Sequence, residues 1–121
     1  MAPVWVVATL FAGMGLYALA TPAAVLAQFG VPVETPDGRA EVRAVYGGFG
    51  LAVAGLLGAA AATGGDAREG ILVAVGVALA GMAFGRLAAR AVERPSGFFP
   101  VWFYFWVEVV GAAVLLAVAW T

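Results

Sequence analysis

The sequence contains no cysteine, no histidine and no lysine, so arginine is its sole basic residue type. Without cysteine there are no disulfides and no thiolate chemistry, and without either cysteine or histidine most transition-metal sites are excluded. Six basic and seven acidic residues give a net charge of −1. No basic stripe is present to neutralise phosphates, which argues against a nucleic-acid partner. We expect no metal and no cofactor.

Charge of either sign is scarce. Charged residues make up 11% of the 121 positions, and hydrophobic residues make up 64%. A soluble domain carries about 25% charged and about 45–50% apolar residues. A chain this short also lacks the interior volume to bury so much apolar surface. The composition therefore predicts an integral membrane protein with the lipid bilayer as its main partner.

Four apolar stretches are each long enough to cross a bilayer as a helix, which takes about 20 residues. They lie at residues 3–20, 38–63, 67–93 and 98–120. The stretches are unbroken and lack the alternation of strands, so we expect helices. The linkers between the later spans are short, which favours antiparallel neighbours. The sequence thus predicts an all-α, up-down-up-down four-helix membrane bundle that forms a single domain over residues 1–121.

The linker after the first span is longer and contains a second apolar pattern. Residues 22–29 can form a short helix in the membrane interface, with Val25, Leu26 and Phe29 on its apolar side. Asp37 is a suitable N-cap for the second span, because its carboxylate can accept a hydrogen bond from the first helical turn.

The arginines indicate an orientation. The side that holds the first and third linkers carries Arg39, Arg43, Arg86, Arg90 and Arg94, and the other side carries Arg68. Positive charge gathers on the cytoplasmic side of membrane proteins. We therefore expect a multi-pass protein of the cell membrane with both termini outside the cytoplasm. If Arg43 and Arg86 are buried partners, they do not count as topology signals.

Polar side chains of three spans share the predicted inward faces when each helix advances 100° per residue. These are Arg43 and Tyr46 on the second span, Arg86 on the third, and Tyr104 and Glu108 on the fourth. The three charged groups lie about 8, 10 and 15 Å below the same membrane surface. A lone charge near the bilayer centre costs about 2.5–3.5 kcal/mol. We therefore expect a buried cluster in which Glu108 pairs with Arg43, with Arg86, or with both.

Other residues have secondary roles in this arrangement. Tyr17 lies at the same end of the first span and can join the cluster, whereas Glu41 and Arg90 are expected near the interface. Gly81 and Gly85 form a GxxxG pair that permits close helix approach. That approach could be within the chain, in a homo-oligomer or against a membrane-complex partner.

A family resemblance rests on a short motif and two later features. They are Glu41-x-Arg43-Ala44-x-Tyr46-Gly47-Gly48, then Gly85-Arg86, and the glutamate of the last span. With these residues the chain resembles a family of small bacterial four-helix membrane proteins that is catalogued only as a domain of unknown function. The similarity covers nearly the whole chain. It implies the four-helix architecture and a bacterial inner-membrane location, and it implies no activity, substrate or cofactor.

Three functions fit such a cluster. In the first, Arg43 and Arg86 bind an anionic or carbonyl group of a small or lipid-derived ligand in an intrabundle pocket. Tyr46 and Tyr104 would be hydrogen-bonding neighbours, and Glu108 the candidate acid or base for proton transfer on a lipophilic substrate. In the second, the chain is a structural or accessory subunit whose ion pair fixes helix packing. The third is proton or ion translocation. Whether the protein is an enzyme stays open.

Overall fold

The computed structural model describes residues 1–95 and 97–121, and this part of the chain is helical without strands. Its helices are α1 (Ala2–Ala20), α2 (Pro22–Ala27), α3 (Pro36–Ala62), α4 (Gly65–Val92) and α5 (Phe98–Ala119). All except α2 are long and apolar enough to cross a membrane. The four predicted helices are confirmed, and they indicate a multi-pass membrane protein. Ser96, in the predicted third linker, lies outside the described residues.

The helices form two compact units, Met1–Ala61 and Ala62–Thr121. The first unit contains α1, α2 and nearly all of α3, and the second contains α4 and α5. Each unit is described by itself below. The single domain expected over the whole chain stays a prediction.

In the first unit, α1 and α3 approach each other through glycines. A Cβ atom placed on Gly15 would lie 2.8 Å from the carbonyl oxygen of Gly47 and 2.9 Å from the backbone nitrogen of Leu51. A Cβ atom on Gly50 would lie 3.0 Å from the carbonyl oxygen of Phe11. Because these neighbours are backbone atoms, no side-chain rotation could make room. Small residues are what allow helices to pack this closely.

The predicted short helix after the first span is present as α2. Its Val25 belongs to a buried cluster with Ala18 of α1 and Val42 of α3, and Leu26, Val33 and Tyr46 pack against that cluster. Val25, which was expected on the apolar side of an interfacial helix, is buried inside the unit. Packing in this cluster holds α2 against α1 and α3.

The start of α3 differs from the prediction. Thr35, not Asp37, is the N-cap, and its Oγ1 accepts a hydrogen bond from the backbone N–H of Gly38 at 3.0 Å. Pro36 occupies the first helical position, where its fixed φ and missing N–H suit the helix. Asp37 lies in the first turn instead, where a carboxylate interacts favourably with the helix dipole.

In the second unit, α4 and α5 pack through one face of each helix. Leu72, Gly76, Leu79 and Ala83 are buried on α4, and Glu108, Ala112 and Leu115 are buried on α5. Gly76 is where α4 comes close to Leu116, whose Cδ2 would lie 2.9 Å from an added Cβ. Among the described residues nothing lies within 4 Å of a Cβ placed on Gly81 or Gly85. The GxxxG pair is thus off the face that α4 presents to α5.

Candidate functional site

A bidentate ion pair joins α4 to α5. The Nε of Arg86 donates to Oε1 of Glu108 at 2.8 Å, and its Nη2 donates to Oε2 at 2.9 Å. Arg86 follows Ala83 by one helical turn and Glu108 precedes Ala112 by one turn, so both continue the packed faces of their helices. The Glu108 side chain is 5% exposed and that of Arg86 is 22% exposed. The pair is therefore part of the helix–helix interface.

The geometry of this pair matches the chemistry of its two groups. The guanidinium is a planar fork of donors, and two parallel N–H···O bonds to one carboxylate are its strongest arrangement. Each oxygen of Glu108 receives one of these bonds. A carboxylate this buried would be costly without its partner, because removing one member of a buried pair leaves an uncompensated charge.

Tyr104 completes the group. It lies one turn before Glu108 on α5, and the Cζ of Arg86 lies 5.7 Å from the centre of its ring. That distance is within the range of about 6 Å for a cation–π contact. Phe99 and Phe103 lie next to the same ring, with centroids 6.2 and 5.2 Å away. The guanidinium is thus held between a carboxylate and an aromatic surface.

Arg43, which was expected to face inward, is exposed, and that prediction is wrong. Its Nε donates to the backbone carbonyl of Leu19 at 3.0 Å, which ties α3 to the end of α1. The interaction lies in the first unit, whereas Arg86, Tyr104 and Glu108 lie in the second.

A π-helical turn explains why the position of Arg43 was mispredicted. The turn covers Arg43–Gly48 and interrupts the α-helical geometry of α3; the N–H of Phe49 donates to the carbonyl of Ala44, five residues earlier. The buried positions on either side are Val42 and Gly47, which are also five residues apart. A uniform 100° rotation places Arg43 on the buried face, but the wider turn places Val42 there.

The remaining predicted residues lie outside the ion-pair group. Tyr46 is half-buried against the apolar cluster of the first unit. Tyr17 is 51% exposed, and its backbone carbonyl accepts hydrogen bonds from the N–H and hydroxyl of Thr21. Glu41 is exposed on α3, and Arg90 is exposed in the last turn of α4.

Each unit carries a cleft on its surface. In the first unit a cleft between α2 and the start of α3 includes Glu34 and Glu41 in its lining. In the second unit an apolar groove lies between α4 and α5. Neither of these two clefts is lined by Arg86 or Glu108. In the part of the chain that the structure describes, no three acidic side chains lie close enough to hold a metal ion.

One family matches the chain, over residues 2–119, and its description is Domain of unknown function (DUF4345). The chain belongs to this family. The DUF4345 match includes both units and all four long helices. No curated protein and no solved structure matches the chain. The match supports a resemblance over nearly the whole sequence, while the E-x-R-A-x-Y-G-G motif and the bacterial membrane setting stay predictions.

Proposed function

We propose that this DUF4345 protein is a non-catalytic membrane protein, a structural or accessory component in which the Arg86–Glu108 pair fixes the packing of α4 against α5. The bidentate geometry carries the proposal, because Arg86 donates to both carboxylate oxygens of Glu108. The pair lies in the interface between α4 and α5, and neither of the two clefts described above is lined by Arg86 or Glu108. The position of the pair therefore favours a role in helix packing over a role in ligand binding or proton transfer.

The order of helix contacts supports antiparallel neighbours within each unit. As one helix is followed forward, the contacts on its neighbour run backward. In the first unit the pairs are Trp5–Gly58, Phe11–Gly50 and Gly15–Gly47, and in the second they are Gly76–Leu116, Leu79–Gly111 and Arg86–Glu108. With the arginine distribution, this arrangement favours four membrane crossings and both termini outside the cytoplasm.

Burial of the pair within a bilayer also has a physical rationale. Each charge alone would cost about 2.5–3.5 kcal/mol near the bilayer centre. When paired, the two groups satisfy each other's charge and hydrogen bonding. The pair also permits only one register of α4 on α5, since a shift by one residue would separate the guanidinium from the carboxylate. A buried polar pair that specifies helix register is the best-attested role for such a group.

Paired replacement tests the packing role. We expect Arg86→Met and Glu108→Leu each to lower the thermal midpoint of the purified protein in detergent. The double variant should recover most of the loss, because apolar side chains of similar volume can replace a buried ion pair. A double variant no more stable than the worse single variant would contradict the packing role.

A proton-flux measurement distinguishes the structural role from proton translocation. Liposomes that contain the protein should acidify no faster than empty liposomes when a pH gradient and a potassium diffusion potential are applied. A flux that is present in the wild type and absent in Glu108→Gln would overturn the proposal in favour of proton transport.

Single cysteines test the topology, because the chain has no cysteine of its own. Gly64→Cys tests the linker between α3 and α4. Gly65, the next residue, is kept because its φ of +84° favours glycine. With a membrane-impermeant maleimide, Gly64→Cys should label from outside the cell and Ser96→Cys only after the cytoplasm is opened. Labelling of both from the same side would contradict the four-span arrangement.

A further inference from the structure

The second unit has an open groove beside the Arg86–Glu108 pair, with a volume of about 270 Å³. Ala83 and Ala112, both buried, form its floor, because their small side chains leave space between the helices. Its walls are Phe84 and Leu87 from α4 and Phe105 and Val109 from α5. Leu87 and Val109 directly follow Arg86 and Glu108, so the groove runs along one side of the ion pair.

The groove is suited to a hydrocarbon chain. Phe84 is 70% exposed and Leu87 is 50% exposed, so its walls project from the surface rather than closing over the floor. Pockets for small molecules hold about 300–1,000 Å³ and place polar groups around the ligand. This groove is slightly smaller than that range, and all its lining residues are apolar. A single acyl chain matches both properties.

A positive charge lies at one end of the groove. Arg90 is exposed in the last turn of α4, three residues after Leu87, which is about 4.5 Å along the helix axis. It continues the groove side of α4, because residues separated by three or seven positions share a face. Glu93 does not continue that face, since its φ of −153° and ψ of 164° are extended.

The charged end of α4 places Arg90 close to headgroup level. Glu93 and Arg94 directly follow α4 and are exposed, as expected of charged residues outside the hydrocarbon core. Arg90 lies three residues before Glu93, about 4.5 Å along the helix axis, so its long side chain can reach the headgroups.

We propose that the groove binds one acyl chain of an anionic glycerophospholipid, whose phosphate is held by Arg90. Arg90 supplies a charge complementary to the phosphate, and the groove supplies an apolar surface for the chain. Together they favour a lipid over a soluble phosphate ester. The inference rests on membrane insertion as proposed above and is independent of the packing role of Arg86 and Glu108.

Native mass spectrometry of the full-length protein in neutral detergent tests the proposal. After incubation with phosphatidylglycerol or phosphatidylcholine of equal chain length, the wild type should retain one phosphatidylglycerol and about five-fold less phosphatidylcholine. Ala80→Trp should reduce phosphatidylglycerol retention at least about ten-fold, because Ala80 is exposed and lines the groove. Ala117→Trp, at an exposed position of α5 outside the groove lining, is the matched control and should bind as the wild type does.

Charge variants test the headgroup contact. Arg90→Gln should weaken phosphatidylglycerol retention about five-fold, and Arg90→Lys should keep it. Arg39→Gln removes the same charge from the first unit and should have no effect. Equal retention of the two lipids by the wild type, or equal retention by Ala80→Trp and Ala117→Trp, would overturn the proposal.

Competition by a soluble phosphate ester is a further test. Competition by glycerol phosphate at the same concentration as phosphatidylglycerol would overturn the proposal, because it would show a phosphate site that makes no use of the groove. Failure of membrane insertion would appear in the cysteine labelling, and failure of the packing role in the thermal midpoints. Neither of those measurements reads lipid retention, so the proposals fail separately.

Discussion

The two units hold their helices together by different means. In the first, Gly15 and Gly47 allow backbone to meet backbone, and the arginine of that contact region, Arg43, is exposed and bonded to a carbonyl. In the second, Arg86 and Glu108 form a buried bidentate pair across the interface. Glycine contacts require that no side-chain atoms lie between the two backbones, whereas the ion pair requires that two side chains are present together.

This difference determines which substitutions each unit tolerates. Where a glycine faces backbone atoms, as Gly15 does, an added side chain disrupts the contact and no second substitution easily restores it, since backbone atoms cannot rotate away. The ion pair fails when either member is removed, and it can be replaced when both are changed. The same arginine substitution should therefore have unequal effects in the two units.

The largest expected effect is that of Arg86→Met. It leaves the Glu108 carboxylate, 5% exposed, without its bidentate partner. Removing one member of a buried pair costs about 3–5 kcal/mol, and we expect a loss of stability of that order in chemical denaturation. Glu108→Leu should cost less, because the side chain of Arg86 is 22% exposed and its long stem can carry the charge toward water. Equal losses for the two variants would argue against this asymmetry.

Gly15→Ala should have the next largest effect. The new Cβ would lie 2.8 Å from the carbonyl oxygen of Gly47, so α1 and α3 would have to separate at a cost of about 1–3 kcal/mol. Gly13→Ala is the control on the same helix, since nothing lies within 4 Å of its added Cβ. Thermal midpoints should fall for Gly15→Ala and stay level or rise for Gly13→Ala.

Gly76→Ala extends the glycine comparison to the second unit. Its added Cβ would lie 2.9 Å from the Cδ2 and Cγ atoms of Leu116, which belong to a side chain that can change rotamer. We expect a loss of about 1 kcal/mol, at the lower end of the range for Gly15→Ala, in the same denaturation measurement. A larger loss at Gly76 would show that the second unit also depends on rigid glycine packing.

The smallest expected effect is that of Arg43→Met, the counterpart of Arg86→Met in the first unit. Arg43 is exposed and makes one hydrogen bond at 3.0 Å to the Leu19 carbonyl. Since water can replace that donor, we expect a loss of about 0.5–1 kcal/mol. Hydrogen exchange of the amides near Leu19 should rise while exchange in α4 is unchanged. A loss as large as that of Arg86→Met would remove the contrast between the two arginines.

Much of the fold was predictable because it depends on local composition. Uninterrupted apolar stretches of sufficient length can satisfy backbone hydrogen bonds in a membrane only as helices, which is why the four long helices were predicted with nearly correct ends. The face of α5 that carries Tyr104, Glu108 and Ala112 was also predictable, since that helix is regular from Phe103 onward. In a regular helix the spacing of residues is enough to assign a face.

The choice of partner for Glu108 was not predictable in the same way. The sequence offered Arg43 and Arg86 at similar depths, and a π-helical turn removed Arg43 from the predicted face. The spacing of residues 43–48 in the sequence does not mark such a turn. Likewise, the sequence could not distinguish Gly81 and Gly85, which face open space, from Gly76, which lies against Leu116.

By itself, the sequence determined the helical class, the number of long helices and the need to neutralise Glu108, because these follow from hydrophobicity, helix length and the cost of burying a charge. The tertiary structure alone decided that Arg86 meets that carboxylate with both donors, that Arg43 binds a carbonyl instead, and that a groove opens beside the pair. Those outcomes depend on helix rotation and on the fit between side chains of neighbouring helices. Helix rotation changes by a whole residue when one turn of α3 widens, and residue spacing does not reveal that change.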